Sequence, residues 1–159
     1  MSYINAIKRY EIHQEATTTS QVISDSYVEL SGSRFSYTPI SSNNKVILSF
    51  SQLFNNRPDK YSKLQIIVQE STDNFSSTIN DISGSHTRIQ AQGDGSQYNR
   101  DYWFFENQII LDSWNGKKYF RVVMTSGDVD SECTVQHTRR WEGNLIDAYP
   151  PVSVLIKEI

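Results

Sequence analysis

The sequence has 159 residues, a length that suits one domain with its own hydrophobic core. Lys and Arg number 15 against 18 Asp and Glu, and no basic run is longer than Arg139 and Arg140. This balance argues against a nucleic-acid partner, because such binding needs a clustered positive surface. Cys133 is the single cysteine, so no intrachain disulfide is expected.

No stretch approaches the roughly 20 apolar residues that cross a bilayer, and residues 1–10 lack the apolar core of a signal peptide. We therefore expect synthesis in a cytoplasm and no insertion into a membrane. Residues 15–20 form a polar bridge between the first residues and the first clear strand pattern. This division predicts an N-terminal arm over residues 1–20 and one domain over residues 21–159.

Short segments of mixed apolar and polar residues recur along the chain and are separated by Ser, Asn, Asp and Gly clusters, as is typical of strands joined by turns. The predicted strands are residues 21–30, 34–38, 45–54, 63–70, 87–92, 102–112, 118–124, 132–138 and 152–158. No alternation of strand and helix patterns accompanies them. The pattern predicts an all-β fold, an antiparallel two-sheet sandwich.

Asn115 and Gly116 are the strongest two-residue hairpin signal in the chain. They predict that residues 108–114 pair with residues 117–124 as adjacent antiparallel strands. Two polar stretches, residues 69–85 and 91–100, are predicted to be long loops. Loops of this length in a compact domain often serve as contact surfaces.

The sequence contains no pattern that indicates catalysis, a metal or a cofactor. His13, His86 and His137 lack the spacing of a zinc site, and Cys133 has no basic neighbour that would activate a thiolate. A facing pair of carboxylates would suggest glycoside cleavage, but sequence alone brings no two of the acidic residues together. The candidates, interpreted as turn formers, are Asp73, Asp81, Asp94, Asp101, Glu106 and Asp112. We therefore expect a protein that binds or assembles and is not an enzyme.

Four aromatic residues are candidates for ligand binding because flat rings beside polar groups stack on sugars or fill protein interfaces. Tyr98, Tyr102 and Trp103 lie beside a glycine-containing loop, and Trp141 follows the two arginines. The alternative for each ring is packing in the core.

The segment Tyr37-Thr38-Pro39, Ser41-Ser42, Lys45-Val46-Ile47-Leu48 resembles structural proteins of tailed phages, of the marine and cyanobacterial type. The closing segment, residues 152–159, is similar to the way such modules end, with an aliphatic strand followed by Glu and Ile. The resemblance implies a jelly-roll or related sandwich, usually a homotrimer, in a tail fibre or on the particle surface.

The leading hypothesis is a self-associating virion protein, a surface knob, capsid decoration or tail-fibre module that involves no cofactor or metal. It would lie on the virion surface after synthesis in the host cytoplasm and contact other capsid, tail or fibre proteins. The arm would dock by adding a strand to a neighbouring sheet. Its candidate docking residues are Tyr3, Ile4, Ile7, Tyr10 and Ile12. The alternatives are a module that binds a host receptor or surface glycan through the four aromatic residues and, more remotely, a polysaccharide depolymerase.

Overall fold

The computed structural model describes residues 7–14, 21–23, 25–56, 61–92, 101–126, 133–135, 138–139, 147–148 and 152–159. At 22, 53–56, 61–62, 91–92, 101–104, 133–135, 138–139 and 147–148 it describes the backbone alone. The strands are β1 (Arg9–Gln14), β2 (Gln21–Ile23), β3 (Val28–Glu29), β4 (Phe35–Tyr37), β5 (Lys45–Asn56), β6 (Tyr61–Ser71), β7 (Asn80–Asp81), β8 (Thr87–Gln92), β9 (Asp101–Asp112), β10 (Lys118–Ser126), β11 (Cys133–Val135), β12 (Thr138–Arg139), β13 (Asp147–Ala148) and β14 (Ser153–Glu158). None of these residues forms a helix, and so none forms a helix that could cross a bilayer.

Sheet 1 is built around β5 and is four strand positions wide. Along its whole length β5 pairs with β9 at one edge. At its other edge it pairs first with β14 and then with β11, so these two strands share one position in the sheet. Beyond them, β1 pairs with β14 and β2 pairs with β11. The order is therefore β1 and β2, then β14 and β11, then β5, then β9.

Sheet 2 has the same width and is built around β10 and β6, which pair with each other over eight residues. The other edge of β10 pairs with β3 and β4. The other edge of β6 pairs with β7 and β8. All pairings in both sheets are antiparallel.

The chain alternates between the two sheets in the manner of a jelly roll. It passes from β2 in sheet 1 to β3 in sheet 2, returns to sheet 1 at β5, and crosses again to β6, β9, β10 and β11 in turn. The first strands pair with the last, and the pairing moves inward along the chain, which is the double Greek key arrangement. The prediction of an all-β, antiparallel two-sheet sandwich of jelly-roll type is confirmed.

The core lies between the sheets and follows the alternation of side chains along each strand. The buried residues of the long strands include Val46, Leu48 and Phe50 from β5, Leu64, Ile66 and Val68 from β6, Phe105 and Ile109 from β9, Phe120, Val122 and Met124 from β10, and Val154 and Ile156 from β14. An aromatic cluster packs within this core. The ring of Phe120 lies 5.2 Å from that of Phe35 and 5.5 Å from that of Trp114, measured between centroids.

The predicted hairpin at Asn115 and Gly116 is wrong. β9 pairs with β5 in sheet 1, whereas β10 pairs with β6, β3 and β4 in sheet 2. The tight hairpin turn that Asn-Gly favours needs positive φ at both residues, and here Gly116 has a φ of 82° while Asn115 is not in the left-handed region. The turn therefore carries the chain across the sandwich, and Trp114 packs against the core there.

Two other predicted strands are interrupted where the chain leaves a sheet. The predicted strand 21–30 divides into β2 and β3, which belong to different sheets, and the polar residues Asp25 and Ser26 lie between them. The predicted strand 132–138 divides into β11 and the start of β12, and β12 pairs with β13 in a separate ribbon.

Replacing Phe120 with alanine should destabilise the fold by about 3–5 kcal/mol, because the side chain is fully buried in the aromatic cluster and its removal leaves a cavity. Urea unfolding followed by circular dichroism measures this loss. The matched control is Ile110→Ala on β9, whose side chain is 63% exposed. The control should change stability by less than about 0.5 kcal/mol, and an equal loss in both variants would contradict the placement of the core.

Candidate interaction surface

The carboxylate of Glu158 at the end of β14 is fully buried and accepts hydrogen bonds from two side chains and two backbone nitrogens. The hydroxyl of Tyr37 and the amide nitrogen of the Asn44 side chain donate to it at 2.7 and 2.6 Å. The backbone nitrogens of Ile40 and Ser41 also donate, at 2.9 and 3.3 Å. These contacts join the end of β14 to the loop between β4 and β5.

Burial alone would raise the pKa of Glu158, but the hydrogen bonds from Asn44, Tyr37 and the loop backbone outweigh it and lower the pKa below its usual value. The pKa of Tyr37 is raised, first by burial and then by the neighbouring carboxylate. Positive charge reaches the cluster indirectly, since the ammonium group of Lys8 donates to the side-chain oxygen Oδ1 of Asn44 at 2.5 Å. The two segments that carry the phage resemblance, residues 37–48 and 152–159, thus meet at this carboxylate.

Strand β1 lies at the edge of sheet 1 and is held there by β14. Its six residues pair with Ser153–Glu158 in one continuous antiparallel register. No described strand pairs with the second edge of β1. Residues 9–14, which fall within the predicted arm 1–20, are therefore part of the sandwich, and their second backbone edge, unpaired among the described strands, is called the open edge.

The outer face of sheet 1 carries an apolar patch that begins at this edge, and we call it the outer patch. It consists of Tyr10 and Ile12 from β1, Leu155 from β14, Ile47 from β5 and Ile110 from β9. Ile12 lies opposite Leu155, and Ile47 lies opposite Ile110. Lys157 lies on the same face between Tyr10 and Ile47, so its side chain interrupts the apolar surface. Tyr10, Ile12 and Ile110 are 55%, 59% and 63% exposed. Large apolar side chains at this exposure are typical of contact surfaces when they lie together.

The inner side of β1 borders an open groove between the two sheets, lined by Glu11, His13, Phe35 and Ser36. The His13 ring packs 5.5 Å from that of Phe35. Its Nε2 atom is buried and has no hydrogen-bond partner among the described residues. Glu11 pairs with Arg9 on the same strand.

Sheet 2 carries a different surface, in which charged groups satisfy one another. Both guanidinium groups of Arg34 and Arg121 bind the carboxylate of Glu29, and both lie over the ring of Phe75, at 5.1 and 4.3 Å from its centroid. Although burial opposes ionisation, the two arginines lower the pKa of Glu29. Asn74 and Phe75 have φ values of 58° and 64°, a strained backbone that these contacts hold in place.

The carboxylate of Asp73 organises the same loop. It accepts hydrogen bonds from the hydroxyls of Ser71 and Ser77 and from the backbone nitrogens of Ser77 and Thr78. These bonds lower its pKa well below the usual range. Asp73 is thus a loop former, as the sequence predicted.

The four predicted ligand-binding aromatics fall outside the described side chains. Tyr98 and Trp141 lie outside the described residues, and for Tyr102 and Trp103 the backbone alone is described, in β9. Their role in binding a glycan or receptor stays a prediction. Within the described residues, no group of three or more His, Cys, Asp or Glu could hold a metal ion.

Three of the five predicted docking residues are described, and all three are exposed. Ile7, Tyr10 and Ile12 have more than half of their surface open to solvent. Tyr3 and Ile4 lie outside the described residues. Sequence reasoning missed Ile110 and Ile47, although the alternation along β5 and β9 placed both on the face opposite the core.

Comparisons with known proteins found distant structural similarity to chains of solved viral particles. No protein-family model and no curated protein matches the sequence. A chain of the T13 viral particle of IBDV matches 94% of this chain at 11% identity and a TM-score of 0.36. A chain of infectious bursal disease virus, Gx strain, matches 96% at 8% identity and a TM-score of 0.30. The protein spans about a third of the length of each of those chains, 35% and 36%, and similarity at this level establishes neither a family nor a function.

Replacing Glu158 with glutamine should lower stability at neutral pH by about 1–3 kcal/mol, because an amide would face groups that all donate hydrogen bonds. The folded pKa of Glu158 lies below the usual 4.5, so its contribution is present above that value and is lost as pH falls through the folded pKa. The wild-type protein should therefore lose more stability on acidification than Glu158→Gln does. Urea unfolding at neutral pH and below pH 4.5 measures the difference.

The control is Glu106→Gln on β9, an exposed carboxylate in the same sheet. It should leave both the stability and its pH dependence within about 0.5 kcal/mol of the wild type. Parallel unfolding curves for Glu158→Gln and the wild type at every pH would show that the carboxylate does not stabilise the fold.

Proposed function

We propose that this protein is a non-enzymatic structural subunit of a tailed-phage virion, which associates with copies of itself and attaches to other particle proteins through its N-terminal segment. The single observation that carries this proposal is the open edge of β1 together with the outer patch beside it. The resemblance in residues 37–48 and 152–159 supports the virus class. The protein would be made in the host cytoplasm and lie on the particle surface, as a decoration, a knob or a tail-fibre module.

The physical argument begins with the hazard of an open edge. An unpaired strand edge is a template for pairing with another chain, and proteins usually protect it with charges, prolines or a covering segment. β1 does carry two charged residues, Arg9 and Glu11, but they pair with each other on the inner side. Its outer side presents Tyr10 and Ile12, which are more than half exposed. An edge of this kind is suited to adding a strand from another subunit, since backbone hydrogen bonds supply affinity and exposed apolar side chains supply contact area.

The fold presents this edge in a rigid form. β14 holds β1 over six residues, and Glu158 holds β14 to the loop between β4 and β5. A strand that is already extended loses less conformational entropy on binding than a free arm does. We therefore assign the docking role to the folded strand β1 together with the residues on either side of it.

The resemblance implies three copies, and the mass of the purified protein tests that number. One chain has a mass of 18.3 kDa, so native mass spectrometry distinguishes one, two and three copies directly. Electron microscopy of particles with and without the protein then locates it on the capsid, the tail or a fibre.

Replacing both Tyr10 and Ile12 with lysine should prevent incorporation into particles without unfolding the protein. Both side chains are exposed, so stability should stay within about 1 kcal/mol of the wild type. The two added positive charges should prevent another strand from pairing with the edge of β1. Incorporation is measured by immunoblotting of particles purified on a density gradient. Deleting residues 1–20 is a poorer test, because it also removes β1 from sheet 1 and uncovers β14.

The control is Ile79→Lys, which places a charge on an apolar side chain of similar exposure, 49%, beside sheet 2. It should incorporate like the wild type. Normal incorporation of the double lysine variant would overturn the docking role of β1, and sugar release from host envelopes by the purified protein would overturn the non-enzymatic assignment.

A further inference from the structure

Hydrogen bonds within sheet 1 show which backbone groups of β1 face the open edge. Lys45 and Ile159 exchange both backbone hydrogen bonds, at 2.9 and 3.0 Å, so residue 159 faces β5. The backbone N–H and C=O groups of successive residues point to opposite edges of a strand, so those of residues 154, 156 and 158 point to β1. In agreement with this, the backbone carbonyl of Glu158 accepts a hydrogen bond from the backbone nitrogen of Lys8. The partners of residues 154, 156 and 158 on β1 are His13, Glu11 and Arg9. The backbone groups of Tyr10, Ile12 and Gln14 therefore point to the open edge.

We infer that β1 pairs with β1 of a second copy, antiparallel and about a twofold axis at Ile12, so that two copies of sheet 1 form one continuous sheet. This inference rests on the self-association in the proposed function and specifies its contact, with two copies in the free protein where the resemblance implies three. A strand from a particle protein would replace the second copy on the same edge of β1. Tyr10 then lies opposite Gln14 of the second copy, Glu11 lies opposite His13, and Ile12 lies opposite itself.

Backbone geometry limits the registers in which two such edges can pair. The edge-facing residues must lie opposite edge-facing residues, and a slip of one residue would also turn the outer patch of one copy toward the core side of the other. Four symmetric registers that pair at least three residues of the strand satisfy this condition, with the axis at Tyr10, Glu11, Ile12 or His13.

Charge and strand length select the third register. An axis at Glu11 places the two Glu11 carboxylates directly opposite each other, which is unfavourable. An axis at Tyr10 pairs only residues 9–11 of the strand, and an axis at His13 pairs only residues 12–14. An axis at Ile12 pairs residues 10–14, five of the six strand residues, and places each Glu11 opposite a His13.

The register at Ile12 also joins the apolar surfaces of the two copies. Ile12 lies beside Leu155 within each copy, so a row of Leu155, Ile12, Ile12 and Leu155 would run across the new contact on the outer face. On the inner side, the carboxylate of Glu11 would lie opposite His13, whose Nε2 has no hydrogen-bond partner among the described residues of its own chain. A contact of five residues per copy is small, and we expect a dissociation constant on the order of 10 µM.

Single cysteine substitutions in β1 test the register of the two strands directly. In a Cys133→Ser background, Ile12→Cys places two thiols on a hydrogen-bonded pair whose Cα atoms are about 5.5 Å apart, a distance that a disulfide spans. Tyr10→Cys is the matched control, equally exposed, and its two copies would be about 14 Å apart along the strands. Mild oxidation at a protein concentration on the order of 100 µM should link Ile12→Cys into a dimer and leave Tyr10→Cys unlinked, as read by non-reducing electrophoresis.

Proline tests the backbone contact without a crosslink. The nitrogen of Ile12 faces the open edge, so Ile12→Pro should keep the fold, since proline is tolerated where the strand nitrogen makes no ladder bond. It should weaken association by about tenfold or more in analytical ultracentrifugation. His13→Pro, whose nitrogen faces β14, should instead lower the midpoint of urea unfolding.

Crosslinking at Tyr10 in place of Ile12, a protein that stays monomeric on the order of 100 µM, or a native mass of three chains would each overturn the twofold pairing. Failure of the twofold pairing can be distinguished from failure of the proposed function. A protein that is monomeric in solution but loses particle incorporation in the double lysine variant would still dock through β1. A dimer crosslinked at Ile12 that never enters particles would retain the pairing and lose the virion role.

Discussion

The rest of this structure depends on the buried carboxylate of Glu158, to which no cation of the described residues binds directly. Placing the charge of Glu158 out of contact with water would be costly unless hydrogen bonds replaced the lost hydration. The Tyr37 hydroxyl, the Asn44 amide and two backbone nitrogens supply those bonds. Because Tyr37 ends β4 and the other donors lie in the loop between β4 and β5, these bonds tie the end of β14 to the chain where it passes from sheet 2 to sheet 1. β14 in turn positions the edge strand β1.

Most of the strands could be predicted because their signals are local. Alternation gives each of β5, β9 and β10 an apolar face, to which Leu48, Phe105 and Phe120 respectively belong, and the structure buries all three. The pairing of the strands is not local. The hairpin prediction used only Asn115 and Gly116. In the structure β9 belongs to sheet 1 and β10 to sheet 2, so the chain must cross between the sheets at these two residues. The strand pattern alone predicts a two-sheet sandwich, and only the resemblance implied its jelly-roll arrangement.

The interaction surface was harder to predict because it depends on contacts between distant parts of the chain. Tyr10 and Ile12 could belong to a helix, an arm or a strand until β14 is placed beside them. Glu158 gives no sequence signal, since a glutamate side chain is normally solvated. The aromatic candidates were selected by chemical type alone, and Tyr98 and Trp141 lie outside the described residues.

The two outer faces of the sandwich differ in a way that bears on function. On sheet 2, Glu29, Arg34 and Arg121 satisfy one another and enclose Phe75, so a new partner would have to replace favourable contacts. On sheet 1, the outer patch lies beside an open backbone edge, and pairing there would bury apolar surface and add hydrogen bonds at little cost in broken contacts. Physical chemistry therefore favours association through β1, whichever copy or neighbouring subunit supplies the second strand.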